Sequence, residues 1–221
     1  MKKSTVTFLI LNCFRPKNIP LVLSSIRSQN ISSTIFLWNN GKHESFDVDK
    51  QVNAERNYGC WPRWMMGLEA NTEYICTLDD DLMLKDNKVI SDAVREYESG
   101  ILGPFGVNMT PKSYRKSRHL KMVDKKVDIV KGRLMLMRSD LLKSLNIEND
   151  LKFCDNHFID DDIIISALAA NRMRKQHKIS SIFKDKLVEL PQYDTDCMSR
   201  KNHFRNRNRT MNEYFGRKKT N

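Results

Sequence analysis

The sequence has 221 residues, 40% of them hydrophobic and 29% charged, with 8 Gly and 6 Pro. Such a chain can bury one core of ordinary size, which excludes collagen-like, low-complexity and wholly disordered readings. Its 38 Lys and Arg against 27 Asp and Glu leave a formal charge of +11, so nucleic acid, an anionic membrane or a phosphorylated small molecule are the natural partner classes.

From the start of the chain, Val6 to Cys13 is a continuous apolar, β-branched run, which suits a strand covered on both faces in a parallel sheet. Met1-Lys2-Lys3 ahead of it faintly imitates a signal peptide, but Asn12, Arg15 and Pro16 interrupt the pattern. Asn18 opens a helix with Ile19, Leu21, Val22, Leu23 and Ile26 on its apolar side, and Thr34 to Trp38 forms a second strand, completing a βαβ unit. Asn39-Asn40-Gly41 ends that strand, and a short segment near Val52 follows. A helix is predicted from Cys60 to Glu69, then a third strand, Glu73 to Leu78, that runs straight into Asp79-Asp80-Asp81. In such an alternating α/β pattern, ligands bind beyond the carboxyl ends of the strands.

Further on, a helix is predicted from Asn87 to Tyr97, and Ile101 to Met109 is apolar. Lys112 to Lys126 carries seven Lys or Arg and reads as a solvated connection. Val127 to Met137 reads as a strand broken at Lys131-Gly132, Ser139 caps a short helix to Leu145, and Phe158 to Asn171 is a helix opened by Asp160-Asp161-Asp162. From Asp196 to Asn221 the chain is polar and basic, a tail too polar to build core whose Arg and Lys could close over a bound anion. Neither repeat nor Pro/Ser/Gly linker divides the chain, so residues 1–195 read as a single domain with 196–221 as its tail. Five scattered cysteines without a Cys-x-x-Cys pair point to a reducing, cytoplasmic setting, and no apolar run approaches the ~20 residues needed to cross a bilayer.

Two acidic triplets carry the chemistry. Three carboxylates at a strand end repel one another, and Asp79 and Asp81 project to the same side, so a hard divalent cation, Mg²⁺ or Mn²⁺, would relieve the repulsion. Capping a helix explains one Asp of the second triplet, not three; Asp161 shares the buried stripe of Ile164, Ile165 and Leu168, with Asp162 on its flank, so both look into a pocket. Arg15, Arg56 and Arg63 can reach an anion at the strand ends, and Asn39 and Asn40 can read a base edge. Trp61 and Trp64 suit the core and ligand stacking equally well.

Together, Asn12-Cys13-Phe14-Arg15-Pro16, Trp38-Asn39-Asn40, Asn57-Tyr58-Gly59 with Gly67-Leu68-Glu69-Ala70, Leu78-Asp79-Asp80-Asp81, Val130-Lys131-Gly132 and Asp160-Asp161-Asp162-Ile163 resemble nucleotide-sugar glycosyltransferases of the GT-A fold. The Trp-Asn-Asn and Asp-Asp-Ile pieces are similar to exostosin-like enzymes, the Asn-x-Gly segment to the large inverting family. The high Lys and Asn content and lack of an anchor are similar to the soluble glycosyltransferase domains encoded by large algal (chlorella) viruses. One departure is Arg63-Trp64, where many relatives carry an Arg-Asn pair after Asn-x-Gly, one place off.

The resemblance implies a single Rossmann-like α/β domain with a mostly parallel sheet flanked by helices. It implies transfer of a sugar from a UDP-sugar to a hydroxyl of a glycan or glycoprotein acceptor. Asp81 would be the main ligand of Mn²⁺ or Mg²⁺, with Asp79 beside it, and Asp79 or Asp80 would lie near the ribose or sugar. Phe14, Arg15, Asn40 and Arg56 would surround the uridine and diphosphate, Asp161 and Asp162 would face the acceptor with Asp162 as base, and His203 is a candidate late metal ligand. The same parts would serve a nucleotidyltransferase. A basic nucleic-acid-binding module using Lys112 to Lys126 and Arg200 to Lys219 is the non-enzymatic rival.

Overall fold

The computed structural model describes residues 5–41, 44–110, 113–147, 159–193 and 202–216. The first apolar run forms β1 (Thr5–Asn12), followed by α1 (Ile19–Arg27), β2 (Ser32–Asn40), β3 (Lys50–Ala54), α2 (Pro62–Leu68) and β4 (Tyr74–Asp79). β1 runs parallel to β2 on one side and to β4 on the other, placing Leu11 beside both Trp38 and Asp79. The chain thus builds outward through β2 and β3, then crosses back to lay β4 on the far side of β1. That reversal opens a crevice at the carboxyl ends of β1 and β4.

Next come β5 (Leu82–Leu84), α3 (Val89–Glu96), β6 (Leu102–Gly103), β7 (Phe105–Asn108), β8 (Arg118–Lys121), β9 (Lys125–Val127), β10 (Ile129–Val130), β11 (Leu134–Arg138) and α4 (Ser139–Ser144). After them lie α5 (Asp161–Asn171), β12 (His177–Ile179), β13 (Leu187–Glu189) and α6 (His203–Tyr214). The main sheet has the order β3-β2-β1-β4-β11-β6-β12-β9 and is mainly parallel, with β11 antiparallel to both its neighbours. Beside it, β10, β7 and β8 form a small antiparallel sheet, and β13 pairs with β5.

Period-two alternation along β1 divides the core. Val6, Phe8 and Ile10 pack in one layer with Val22, Leu23 and Ile26 of α1 and with Val89 and Ile90 of α3. Leu9 joins the other, with Trp61, Trp64 of α2, Leu142 of α4 and Ile164 of α5. Each such buried side chain contributes about 1.5–3 kcal/mol through removal from water. Trp61 and Trp64 are fully buried, so they serve the core rather than stack on a ligand.

Three stretches differ from the sequence reading. Lys112 to Lys126 carries β8 and β9 rather than only a solvated connection: β8 pairs with β7, and β9 forms the outer edge of the main sheet. Charged side chains are how exposed edge strands avoid pairing with another chain, so charge there does not argue against strand. Ser139 is the first residue of α4, one place inside the expected cap. The stretch expected to be too polar for the core contains α6, which buries Arg207, Thr210 and Met211. Residues 196–201 and 217–221 of that stretch lie outside the described residues.

Candidate active site

A cavity of about 580 Å³ opens at the crevice between β1 and β4. Phe14, Arg15, Asn40, Asp79 to Asp81, Asp162, Phe204 and Arg207 line it. Asp79 to Asp81 and, from far along the sequence, Asp161 and Asp162 therefore face one space.

In the first triplet each carboxylate has its own guanidinium. Arg63 Nη1 donates to Asp79 Oδ1 at 2.8 Å. Arg15 Nη1 donates to Asp80 Oδ1 at 2.5 Å and lies 3.3 Å from Asp81 Oδ2. Arg133 Nη2 donates to Asp81 Oδ1 at 3.2 Å, and Gln192 Nε2 to Asp81 Oδ2 at 2.9 Å. The chain following β13 supplies that Gln192, held by Leu190 N donating to Asp81 O at 2.8 Å. Burial pushes the Asp80 carboxyl up to about 6, with Arg15 opposing. Burial also raises Asp79; Arg63 opposes that shift and Asp81 reinforces it.

The second triplet opens α5, where carboxylates also suit the positive end of the helix dipole. Arg63 Nε and Nη2 donate to Asp161 Oδ2 at 3.1 and 2.8 Å, and Trp64 Nε1 donates to the same oxygen at 2.6 Å. One arginine thus bridges the two triplets. Burial works against its charge, but Asp161 and Asp79 outweigh burial and raise its pKa. Arg207 Nη2 of α6 donates to both oxygens of Asp162 at 2.8 Å and to Tyr114 Oη at 2.9 Å. Thr210 Oγ1 donates to Asp160 Oδ2 at 2.8 Å. Gly132 N donates to Asp162 Oδ2 at 3.3 Å, and a Cβ on Gly132 would stand 2.6 Å from Arg63 Nη2. Only glycine lets that loop lie against the bridging guanidinium.

The structure brings Phe14, Arg15, Asn40, Arg63, Asp79, Asp80, Asp81, Asp161 and Asp162 to the cavity. It does not bring Asn39 or Arg56 there. Asn39 is fully buried, accepting from Asn12 Nδ2 at 2.8 Å and donating to Asn53 Oδ1 at 2.6 Å, so it ties the ends of three adjacent strands together. Arg56 lies over the Tyr58 ring, 4.7 Å from its centroid. Asn40 lines the cavity while donating to Gly59 O at 2.8 Å and accepting from Tyr58 N at 3.0 Å, which orders the loop beside it. Sequence reasoning missed Arg133, Gln192 and Arg207. Arg133 directly follows the Lys131-Gly132 break and could have been found there; Arg207 lies in the basic stretch expected to close over an anion but was not singled out within it, and nothing near Gln192 marked that residue.

A divalent cation held here would have to share Asp79 with Arg63, and Asp81 with Arg15 and Arg133. Asp79 and Asp81 present hard oxygens to the cavity and repel each other. Mg²⁺ in particular is commonly held by one or two carboxylates together with substrate phosphates. His203 is buried, lines the cavity and packs edge-on against Phe204. Among the described residues, no three His, Cys, Asp or Glu side chains gather as a ready-made ligand set.

No family model and no curated protein matches the chain. Solved structures do. S. aureus TarS matches with a TM-score of 0.57 at 15% identity, over 86% of this chain and 37% of that one. TarS 1-349 in complex with UDP-GlcNAc gives 0.55 at 16%, over 80% and 56%. The mannosyltransferase PcManGT from Pyrobaculum calidifontis, in complex with GDP-Man and Mn²⁺, gives 0.55 at 13%, over 84% and 59%. This chain thus spans less than two thirds of each of these chains. At such identities the likeness is one of fold: a mixed α/β domain with a large, mainly parallel sheet flanked by helices, shared with structures of glycosyltransferases. No helix among the described residues is long and apolar enough to cross a membrane.

Proposed function

We propose that this chain is a glycosyltransferase that moves a sugar from a nucleoside diphosphate, UDP in the first instance, to a hydroxyl of a glycan acceptor, with Mn²⁺ or Mg²⁺. The observation that carries the reading is one cavity at the reversal of strand order, faced by Asp79 to Asp81 and by Asp161 and Asp162. Neighbours of the same fold have been captured with UDP-GlcNAc and with GDP-Man and Mn²⁺.

In this reading Phe14, Arg15 and Asn40 form the nucleotide end, and Asp81 with Asp79 holds the cation. A bound divalent ion supplies charge neutralisation for the departing diphosphate. Arg15 and Arg133, already beside the first triplet, add positive charge at the same place. Asp162 takes the proton of the acceptor hydroxyl, and Arg207 fixes the orientation of its carboxylate. Asp161, which accepts from Arg63 and Trp64 on one oxygen, positions Arg63.

Calorimetry with a panel of UDP- and GDP-sugars tests the reading. The expected result is binding of at least one, weakened ~10-fold or more by EDTA or by Asp81→Asn. Absence of binding across the panel overturns the assignment, and affinity indifferent to both EDTA and the variant overturns the metal role. Pyrophosphate release from a nucleoside triphosphate would establish the nucleotidyltransferase instead.

A further inference from the structure

In the cavity wall one hydroxyl is engaged on its oxygen side only. Tyr114, in the β7–β8 loop, lines the cavity and is 4% exposed. Its Oη accepts from Arg207 Nη2 at 2.9 Å, and a guanidinium can only donate, so the phenol keeps a hydrogen to give. No described residue accepts that hydrogen. Burial pushes Tyr114 up to about 12, with Arg207 opposing, so the hydrogen stays on the oxygen near neutral pH. A buried donor without an acceptor is costly, and a ligand oxygen arriving in the cavity would relieve that cost.

The residue is held in place from several sides. Tyr114 N donates to Asn208 Oδ1 of α6 at 3.2 Å, and Tyr114 O accepts from Ser117 N at 3.2 Å and lies 3.1 Å from His119 Nε2. The Arg207 guanidinium lies over the ring, 4.5 Å from its centroid, and His119 packs edge-on against it. Arg207 Nη2 is also the nitrogen that donates to both oxygens of Asp162 at 2.8 Å. The phenol oxygen and the Asp162 carboxylate thus stand one hydrogen bond from a common atom. Neighbouring oxygens of one sugar ring can meet both.

We propose that Tyr114 is an acceptor-binding residue: its hydroxyl donates to an oxygen of the acceptor next to the hydroxyl whose proton Asp162 takes. The inference rests on the cavity's being the sugar-transfer site. It narrows the acceptor to a sugar or polyol in which the reacting hydroxyl has an oxygen-bearing neighbour. An acceptor without that second oxygen leaves the buried phenol unpaired again, and a site built to hydrogen-bond a substrate oxygen rejects the analogue that lacks it.

The test titrates methyl glucoside, methyl galactoside and methyl mannoside calorimetrically into the protein, with and without saturating UDP and Mg²⁺, and then replaces the tightest binder by each of its monodeoxy analogues. At least one analogue is expected to bind wild type ~10-fold weaker than its parent. Tyr114→Phe should bind the parent ~10-fold weaker too and no longer distinguish it from that analogue, while UDP affinity stays within ~2-fold. A role confined to holding Arg207 would instead weaken parent and analogues alike and preserve the discrimination, which overturns the proposal. Parent affinity unchanged in Tyr114→Phe, a loss of UDP affinity in its place, or binding of none of the three glycosides overturns it as well. Uniform affinity of wild type for parent and all analogues does so without any variant. Failure of UDP to bind strikes the glycosyltransferase reading alone; the titrations without UDP still decide the Tyr114 contact.

Discussion

Asp79 to Asp81 and Asp160 to Asp162 are the same three residues in a row, yet they are held differently. In the first triplet only Asp79 belongs to β4, while Asp80 and Asp81 turn the chain into β5, and the three acids meet Arg63, Arg15 and Arg133 around the cavity. The second opens a helix, and its acids are drawn inward to Thr210, Arg63 with Trp64, and Arg207. Exposure separates Asp79 from the rest: its side chain is 31% exposed, against 7% and 10% for the side chains of Asp80 and Asp81 and 3% and 7% for those of Asp161 and Asp162. Of the six acids, Asp79 alone keeps a substantially open side chain, while the other five are committed to arginine or threonine partners.

Removing the residue that joins the two triplets should have the largest effect. Arg63→Ala leaves Asp161 buried without its cation, and breaking such a pair costs about 3–5 kcal/mol, measurable as a lower urea midpoint. A loss under 1 kcal/mol would show that Asp161 is better solvated than its partners indicate. Asp162→Asn keeps the shape but removes the proton acceptor. Transfer should fall ~100-fold or more while donor affinity stays within a factor of about three, read on the same protein preparation. Equal loss of both would move Asp162 to the donor site and erase the division of labour between the triplets.

Gly132→Ala forces a methyl against a guanidinium that cannot retreat from Asp161 and Asp79. A destabilisation of about 1–3 kcal/mol is expected, and thermal unfolding would reveal it. The smallest effect concerns pH. Asp80 is raised to about 6 in the folded protein, so the folded state binds the extra proton between about pH 4 and 6. Stability from this group is present below the unfolded pKa and lost as pH rises through about 6. Wild type should therefore lose a few degrees in Tm relative to Asp80→Asn over that window; a parallel pair of Tm curves would contradict it.

The parallel half of the sheet was legible because β1 and β4 are largely apolar without strict alternation, and covering both faces leaves little choice of residue. The first triplet was legible as a site because a buried strand running into three acids has few structural uses. β8 and β9 were hidden because edge strands carry charge. α6 was hidden because its inner face is largely polar: Arg207 and Thr210 are buried only because Asp162 and Asp160 await them, and that pairing joins residues no local pattern connects. Asn39 and Arg56 show the opposite error. A position at a strand end does not say toward which side a side chain turns, and Asn39 turns into neighbouring strands.

The bond from Arg207 to Asp162 also has a temporal side. The two residues are 45 positions apart. At a synthesis rate of 5–20 residues per second, the acid is made about 2–9 s before its arginine. Throughout that interval the start of α5 must stay in water, since burying Asp160 or Asp162 alone is costly. On the ribosome, then, the nucleotide end of the cavity can form while the opposite wall is still missing, and the cavity closes only when α6 emerges.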